Sequence, residues 1–231
     1  MPRDWMTRAF AEAIGAFALI FVGVLSITAA GIAGSPGAAN LTSVALAHGF
    51  TIAVMVAALG AISGGHFNPA VTFGFVITGR MGARLGLVYG VAQLAGATVA
   101  ALLLTGMFSV PAVGGGTPDL ASGVGSGTGI VIEAVTTFFL VLVIFGTAVD
   151  RRAPVAVFPL AIGLTIALDI MAVGPLTGAA MNPARAFGPA LASGHWSHHL
   201  VYWAGPLAGA AAAAFVQQGL LMERPAPASR T

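Results

Sequence analysis

The stretch Ser63-Gly64-Gly65-His66-Phe67-Asn68-Pro69-Ala70-Val71-Thr72-Phe73-Gly74 recurs, altered but legible, as Thr177-Gly178-Ala179-Ala180-Met181-Asn182-Pro183-Ala184-Arg185-Ala186-Phe187-Gly188. Each copy is a glycine-bearing run followed by Asn-Pro-Ala and a short apolar segment. Asn is a favoured N-cap, and Pro at the first helical position has a suitable fixed φ and lacks an N–H that would otherwise go unpaired. Each copy therefore predicts a helix start. The helix is short: Asn68 to Thr78 covers about 11 residues and roughly 16 Å, half of a ~30 Å hydrocarbon core. A single Asn-Pro-Ala would mark little more than a turn. Two copies, each a half-length helix preceded by open backbone, point to a pore or transport site within a membrane.

Composition agrees with a membrane setting. Of 231 residues, 58% are hydrophobic and only 7% charged, and mean hydropathy is +0.96. A soluble domain carries about 25% charged residues. The apolar runs reach spanning length and lack strand-like alternation, so helices are expected, not barrel strands. Met6–Ala30 is too long for a cleaved leader and reads as the first span. Cysteine is absent, which excludes disulfides, thiol catalysis and thiolate metal sites. The pI near 9.9 does not indicate nucleic acid, because the basic residues are all Arg and scattered along the chain.

The fold class predicted is all-α and integral to the membrane, with six transmembrane helices plus two half-helices. The spans are drawn at Met6–Ala30, Leu41–Ile62, Leu85–Phe108, Gly129–Val149, Val157–Val173 and His198–Met222. With both termini in the cytoplasm, Arg3, Arg8, Arg80, Arg84, Arg151, Arg152, Arg224 and Arg230 fall inside and only Arg185 lies elsewhere, which is the bias of the positive-inside rule. The halves repeat. Asn68 and Asn182 are 114 positions apart, Leu87-Val88-Tyr89 returns as Leu200-Val201-Tyr202, and Glu12 pairs with Glu133. Three spans per half is an odd number, so the copies lie in opposite senses and the repeat is inverted. A single channel domain over 1–231 is expected, with halves at about 1–109 and 129–222. Val110–Thr128 is the linker on the outer face, and the polar tail 223–231 is expected to be disordered. Gly90, Gly96, Ala100 and the Ala208–Ala214 run are read as small residues that pack helices closely.

The doubled motif and the repeat identify a resemblance to the aquaporins, the major intrinsic protein family, from about Glu12 to about Gly219. Within the family the chain is most similar to tonoplast-type and ammonia-permeable members. Ala45-Leu46-Ala47-His48-Gly49-Phe50, Asp169-Ile170, Met181–Pro189 and Val201-Tyr202-Trp203-Ala204-Gly205-Pro206-Leu207 carry that similarity. The resemblance implies a passive channel for water, with ammonia and other small uncharged solutes as further candidates and protons and ions excluded. It also implies a homotetramer with one pore per subunit. With no nucleophile–base pair, phosphate loop or metal set in the sequence, no enzyme activity, cofactor or metal is expected, and the short polar ends suggest multi-pass placement in the cell (plasma) membrane.

The site residues follow from the motif and the resemblance together. Asn68, Pro69, Ala70 and Asn182, Pro183, Ala184 form the two motifs; their Asn amides would orient a central water and break a proton wire. That barrier, with the positive ends of the half-helices, is the general account of aquaporin-type pores, not a deduction special to these residues. Gly64, Gly65 and His66, with Gly178, Ala179 and Ala180, would offer backbone carbonyls to the file. An Arg at membrane depth must face water or a partner, and the family uses the position of Arg185 in its constriction. Family alignment puts the other constriction positions at His48, Ile170 and Ala179. Ile170 stands where water-strict members have a His, a combination similar to ammonia-permeable members. Those members also use a histidine of the outer loop, and Val110–Thr128 contains none. Glycerol facilitators, the alternative, carry an acid directly after the motif Arg; here that residue is Ala186. Glu12 and Glu133 are expected to hold the loop backbone by hydrogen bonds rather than to relay protons. His195, His198 and His199 read as interfacial polar residues rather than a metal site, and the sequence does not assign Asp169 a partner.

Overall fold

The computed structural model describes residues 3–34, 40–114 and 116–222. The tail 223–231, with Arg224 and Arg230, lies outside the described residues. The helices are α1 (Arg3–Ile32), α2 (Leu41–Ser63), α3 (Pro69–Ile77), α4 (Ala83–Met107), α5 (Val110–Gly114), α6 (Ser126–Ile144), α7 (Phe158–Thr177), α8 (Pro183–Ser193) and α9 (Val201–Val216). Among the described residues, five helices are long and apolar enough to cross a membrane: α1, α2, α4, α6 with the π turn Phe145–Val149, and α7. The sixth crossing is α9, whose 16 residues continue into a π turn at Gln217–Leu221, roughly 30 Å in all. The fold is that of six spans and two half-helices.

Half-helix α3 has 9 residues and α8 has 11, about 14 and 16 Å long. Each packs mainly on the opposite half of the chain, α3 against α9 and α8 against α4. The principal pairs repeat as well: α1 lies on α4 as α6 lies on α9, and α2 crosses α7 between the halves. Glycine permits these approaches. A Cβ on Gly96 would sit 2.1 Å from the Ala13 carbonyl oxygen, and one on Gly209 would sit 2.0 Å from that of Ala134. These are equivalent α1–α4 and α6–α9 contacts, and no larger residue fits either. Gly90 differs from the expectation: a Cβ there would meet nothing within 4 Å, so it packs against no helix among the described residues.

Large apolar side chains such as Phe10, Leu87, Val91, Leu168, Leu200 and Leu220 stand exposed around the bundle. In lipid that exterior is at no disadvantage, and satisfied helical backbone meets the other requirement of a bilayer. At one end, Arg80 Nε donates to Gln218 Oε1 at 3.1 Å, and Arg152 Nη2 donates to the Leu221 carbonyl at 2.8 Å. Arg152 also holds Asp150, whose carboxyl is lowered to about 2 by that hydrogen bonding. Arg185 lies toward the other end. The segment drawn as a linker is partly helical: α5 occupies Val110–Gly114 and packs on α8, and α6 begins at Ser126, ahead of the expected Gly129.

Candidate functional site

The turn before each half-helix is the unit from which the site is built. Asn68 Oδ1 accepts from the Ala70 N–H at 2.8 Å, and Asn182 Oδ1 accepts from the N–H groups of Ala184 and Arg185 at 2.9 and 3.3 Å. With Oδ1 committed to the cap, each Nδ2 reaches across the molecule. Asn68 Nδ2 donates to the Met181 carbonyl at 2.9 Å, and Asn182 Nδ2 donates to the Phe67 carbonyl at 3.0 Å. The half-helices therefore meet head to head, each capped by its own Asn and tied to the backbone ahead of the other. Each amide retains a second N–H, and both Asn side chains line a central cavity.

The carbonyls can be reached because the backbone ahead of each cap is left-handed. Phe67 has φ of 50°, Ala179 of 45° and Met181 of 51°. Such conformations cost about 1–3 kcal/mol each at non-glycine residues and persist only where surroundings impose them. Here two buried carboxylates impose them. Glu12 accepts from Ser63 Oγ at 2.6 Å, the His66 N–H at 3.0 Å, the Phe67 N–H at 2.6 Å and Gln93 Nε2 at 2.7 Å. Glu133 accepts from Thr177 Oγ1 at 2.7 Å, the Ala180 N–H at 3.0 Å and the Met181 N–H at 2.7 Å. Tyr89 and Tyr202 repeat the symmetry, donating to the Ser63 and Thr177 carbonyls at 2.7 and 2.8 Å.

The halves differ in one hydrogen-bond network. Gln93, which supplies the fourth bond to Glu12, is replaced by Pro206 at the corresponding point of α9. Gln93 Nε2 also donates to Thr72 Oγ1 at 3.0 Å, and that hydroxyl lies 3.1 Å from His66 Nδ1. His66 thereby belongs to a buried network on one side of the cavity that has no counterpart on the other, where Ala180 and Ala186 take the places of His66 and Thr72.

Two spaces run in series through the molecule. The inner cavity offers about 30 Å³, room for a short file of waters at the 10–15 Å³ or so that one needs, and its wall is largely Ile, Leu and Val. Gly65, His66, Asn68, Ala179, Ala180 and Asn182 interrupt that apolar wall. The outer vestibule is wider, about 430 Å³. His48, Ile170 and Arg185 line both spaces, while Ala179 faces the inner one and its neighbour Gly178 the outer. Three of the four residues aligned to a constriction thus border both the narrow space and the wide one. Gly64 lines neither.

Arg185 is 5% exposed, and its Nη1 donates to the Gly116 carbonyl at 2.7 Å. His48, 2% exposed, has Nδ1 bonded to the Val44 carbonyl at 2.8 Å, while Nε2 has no hydrogen-bond partner among the described residues. A Cβ on Gly23 of α1 would sit 2.3 Å from that Nε2, so glycine there makes room for the imidazole. Asp169 does not line either space; its Oδ2 is buried without a partner among the described residues. The outer rim holds a further cluster. Asp119 Oδ2 accepts from His195 Nε2 at 2.7 Å and Oδ1 from His198 Nδ1 at 2.8 Å. Burial works against the Asp119 charge, but the bonds from His198, the Leu120 N–H and His195 outweigh it and hold the carboxyl below its ordinary range. His199 instead accepts from Trp203 Nε1 at 3.1 Å.

Phe67, Met181, Gln93, Thr72, Gly116 and Gly23 are the residues that sequence reasoning did not single out. Gln93 was detectable, as a lone amide within an apolar helix. Thr72 acts through its hydroxyl and the others through backbone or through space, and nothing in their identity marks them.

These features define a class: a multi-pass membrane protein with a narrow pore between two half-helices. The major intrinsic protein family matches residues 3–217. The chain belongs to that family. It is 47% identical over 216 residues to Aquaporin TIP4-4 of Zea mays, covering 92% of this chain and 85% of the relative. It is 42% identical over 227 residues to Aquaporin TIP2-1 of Arabidopsis thaliana, covering 93% and 88%. The X-ray structure of the aquaglyceroporin from Plasmodium falciparum superposes with a TM-score of 0.79 over 94% of this chain and 96% of that one, at 21% identity. At that identity the likeness is one of fold.

Proposed function

We propose that the chain is a tonoplast-type aquaporin in which water passes in single file between Asn68 and Asn182 and is selected at His48, Ile170, Ala179 and Arg185. The observation that carries this reading is the position of His48, Ile170 and Arg185 at the join between the 30 Å³ cavity and the 430 Å³ vestibule. A file of waters needs a few polar partners along an apolar tube. The free N–H of each Asn, the loop carbonyls and the Arg185 guanidinium supply them. The half-helix N-termini, which meet at the two Asn, place positive potential against cations at the centre.

Ile170 and Ala179 leave one side of the constriction apolar and uncrowded, so the solute range extends beyond water to ammonia and similar small neutral molecules. Glycerol is the second reading. Against it, the residue directly after Arg185 is Ala186, not an acid.

A passive channel is the reading, not an enzyme and not a coupled carrier. Both termini are assigned to the cytoplasmic side from the Arg distribution, and four subunits with one pore each are inferred from the family. The TIP-type relatives favour the tonoplast over the plasma membrane expected from the sequence. Purified protein in proteoliposomes tests the core of the reading by stopped-flow light scattering. Osmotic flux should exceed that of empty liposomes, rise linearly with the gradient and ignore sodium or proton gradients. Saturation, or dependence on an ion gradient, would indicate a carrier.

A further inference from the structure

The segment Gly116–Ala121 crosses the outer mouth as a strap. Its Gly116 carbonyl accepts from Arg185 Nη1 at 2.7 Å, Thr117 Oγ1 lies 3.2 Å from Ser193 Oγ, and the Ala121 N–H donates to the Leu176 carbonyl at 2.9 Å. Pro118 lies so close over Gly178 that a Cβ on that glycine would sit 2.9 Å from the Pro118 Cα. At the centre of the strap Asp119 is clasped by His195 and His198 from the turn between α8 and α9. Gly116, Thr117, Pro118 and Asp119 line the vestibule together with His48 and Ile170.

We propose that Asp119 is a positioning residue for the pore arginine: with His195 and His198 it latches the strap, and through the Gly116 carbonyl it keeps Arg185 against the wall. This rests on the reading of Arg185 as part of the constriction. A buried guanidinium cannot stand without acceptors, and the described side-chain bonds give it the Gly116 carbonyl. If the strap lifts, that carbonyl leaves, and the guanidinium turns toward the water in the lumen, where it narrows the passage.

A hydrogen bond to an ionised acceptor is roughly twice as strong as one between neutral partners, so the Asp119 carboxylate gives the latch its strength and an amide in its place weakens both bonds. The groups facing Asp119 are His195 and His198 from the turn and Tyr202 from α9. Glu133 from α6 and His48 from α2 face Arg185 from beneath. Among the described residues, the side-chain hydrogen bonds to Asp119 come from the two histidines.

The test is water permeability of proteoliposomes for the wild type, Asp119→Asn, His195→Ala/His198→Ala and the triple variant, with a chelator present throughout and thermal midpoints read in detergent. The histidine side chains are 41% and 44% exposed and that of Asp119 34%, so the midpoints should stay at the wild-type value. Asp119→Asn and the double variant should each lower permeability about fivefold, the effect that losing a charge-assisted bond has on a two-state population, and the triple variant should fall no further. Wild-type permeability in the variants, or losses that multiply in the triple variant, would overturn the latch while leaving the channel intact. Absence of flux in the wild type would instead overturn the channel reading beneath it.

Discussion

Asn68 and Asn182 each use one oxygen to start a helix and one N–H to hold the other half of the molecule. The two roles separate by substitution. Asn182→Ala removes the cap, worth about 1 kcal/mol, and leaves the buried Phe67 carbonyl without its donor at about 1–3 kcal/mol more. Asn182→Asp keeps the cap but sets a carboxylate oxygen beside that carbonyl. Both variants should lower the thermal midpoint of the detergent-solubilised protein, and Asn182→Asp should lose water flux as fully as Asn182→Ala. Retained flux in Asn182→Asp would mean that the cross-tie is dispensable. At this scale the sequence is informative wherever a side chain carries the role. Asn-Pro-Ala announces its caps, and a single Arg apart from the other eight announces Arg185. Phe67, Met181 and Gly116 contribute carbonyls, and a carbonyl belongs to every residue. The left-handed φ at Phe67 and Met181 is imposed by Glu12 and Glu133 from other helices, so it has no local signal.

Among elements, the half-helices are held by carboxylates on α1 and α6, not by their own propensity; nine or eleven residues form no stable helix alone. Each of the four groups bonded to Glu12 is a donor. Glu12→Gln turns an amide N–H₂ toward those donors and should cost about 3 kcal/mol or more, with loss of folded yield and flux. Gln93→Leu removes one donor and should be milder, since the remaining three still hold the carboxylate. Comparable losses of thermal midpoint in the two variants would contradict that ranking. The repeat made the two carboxylates visible as a pair before any coordinates. It could not reveal the asymmetry, because the Gln93–Thr72–His66 network forms only when α4, α3 and the loop converge. Small-residue content was a coarser guide: Gly96 and Gly209 sit on carbonyls of neighbouring helices, whereas Gly90 faces open space. Composition names a packing tendency, and only geometry says which face uses it.

At the scale of the whole molecule, two inverted halves make one passage whose width changes abruptly. The inner space admits a short file and the outer admits bulk water, and His48, Ile170 and Arg185 stand at the step. The number of spans and the inverted order were legible because lipid demands long apolar helices and an odd count per half. The roof over the vestibule was not. Val110–Thr128 reads as a Gly- and Ser-rich linker, yet Gly116 to Asp119 form a wall of the mouth. Its position is set by Arg185, Ser193 and the two histidines, far away in the chain. The measurement that bears most directly on the constriction is a pair of stopped-flow assays on the same proteoliposomes. Osmotic shrinkage reports water, and ammonia-driven lumenal alkalinisation reports the second solute. Wild type is compared with His48→Phe/Ile170→His, which restores a donor and adds an aromatic ring at the step. The account predicts fast water flux in both proteins and ammonia flux in the wild type alone. Equal ammonia flux in the two would contradict it, because selection would then lie somewhere other than these residues.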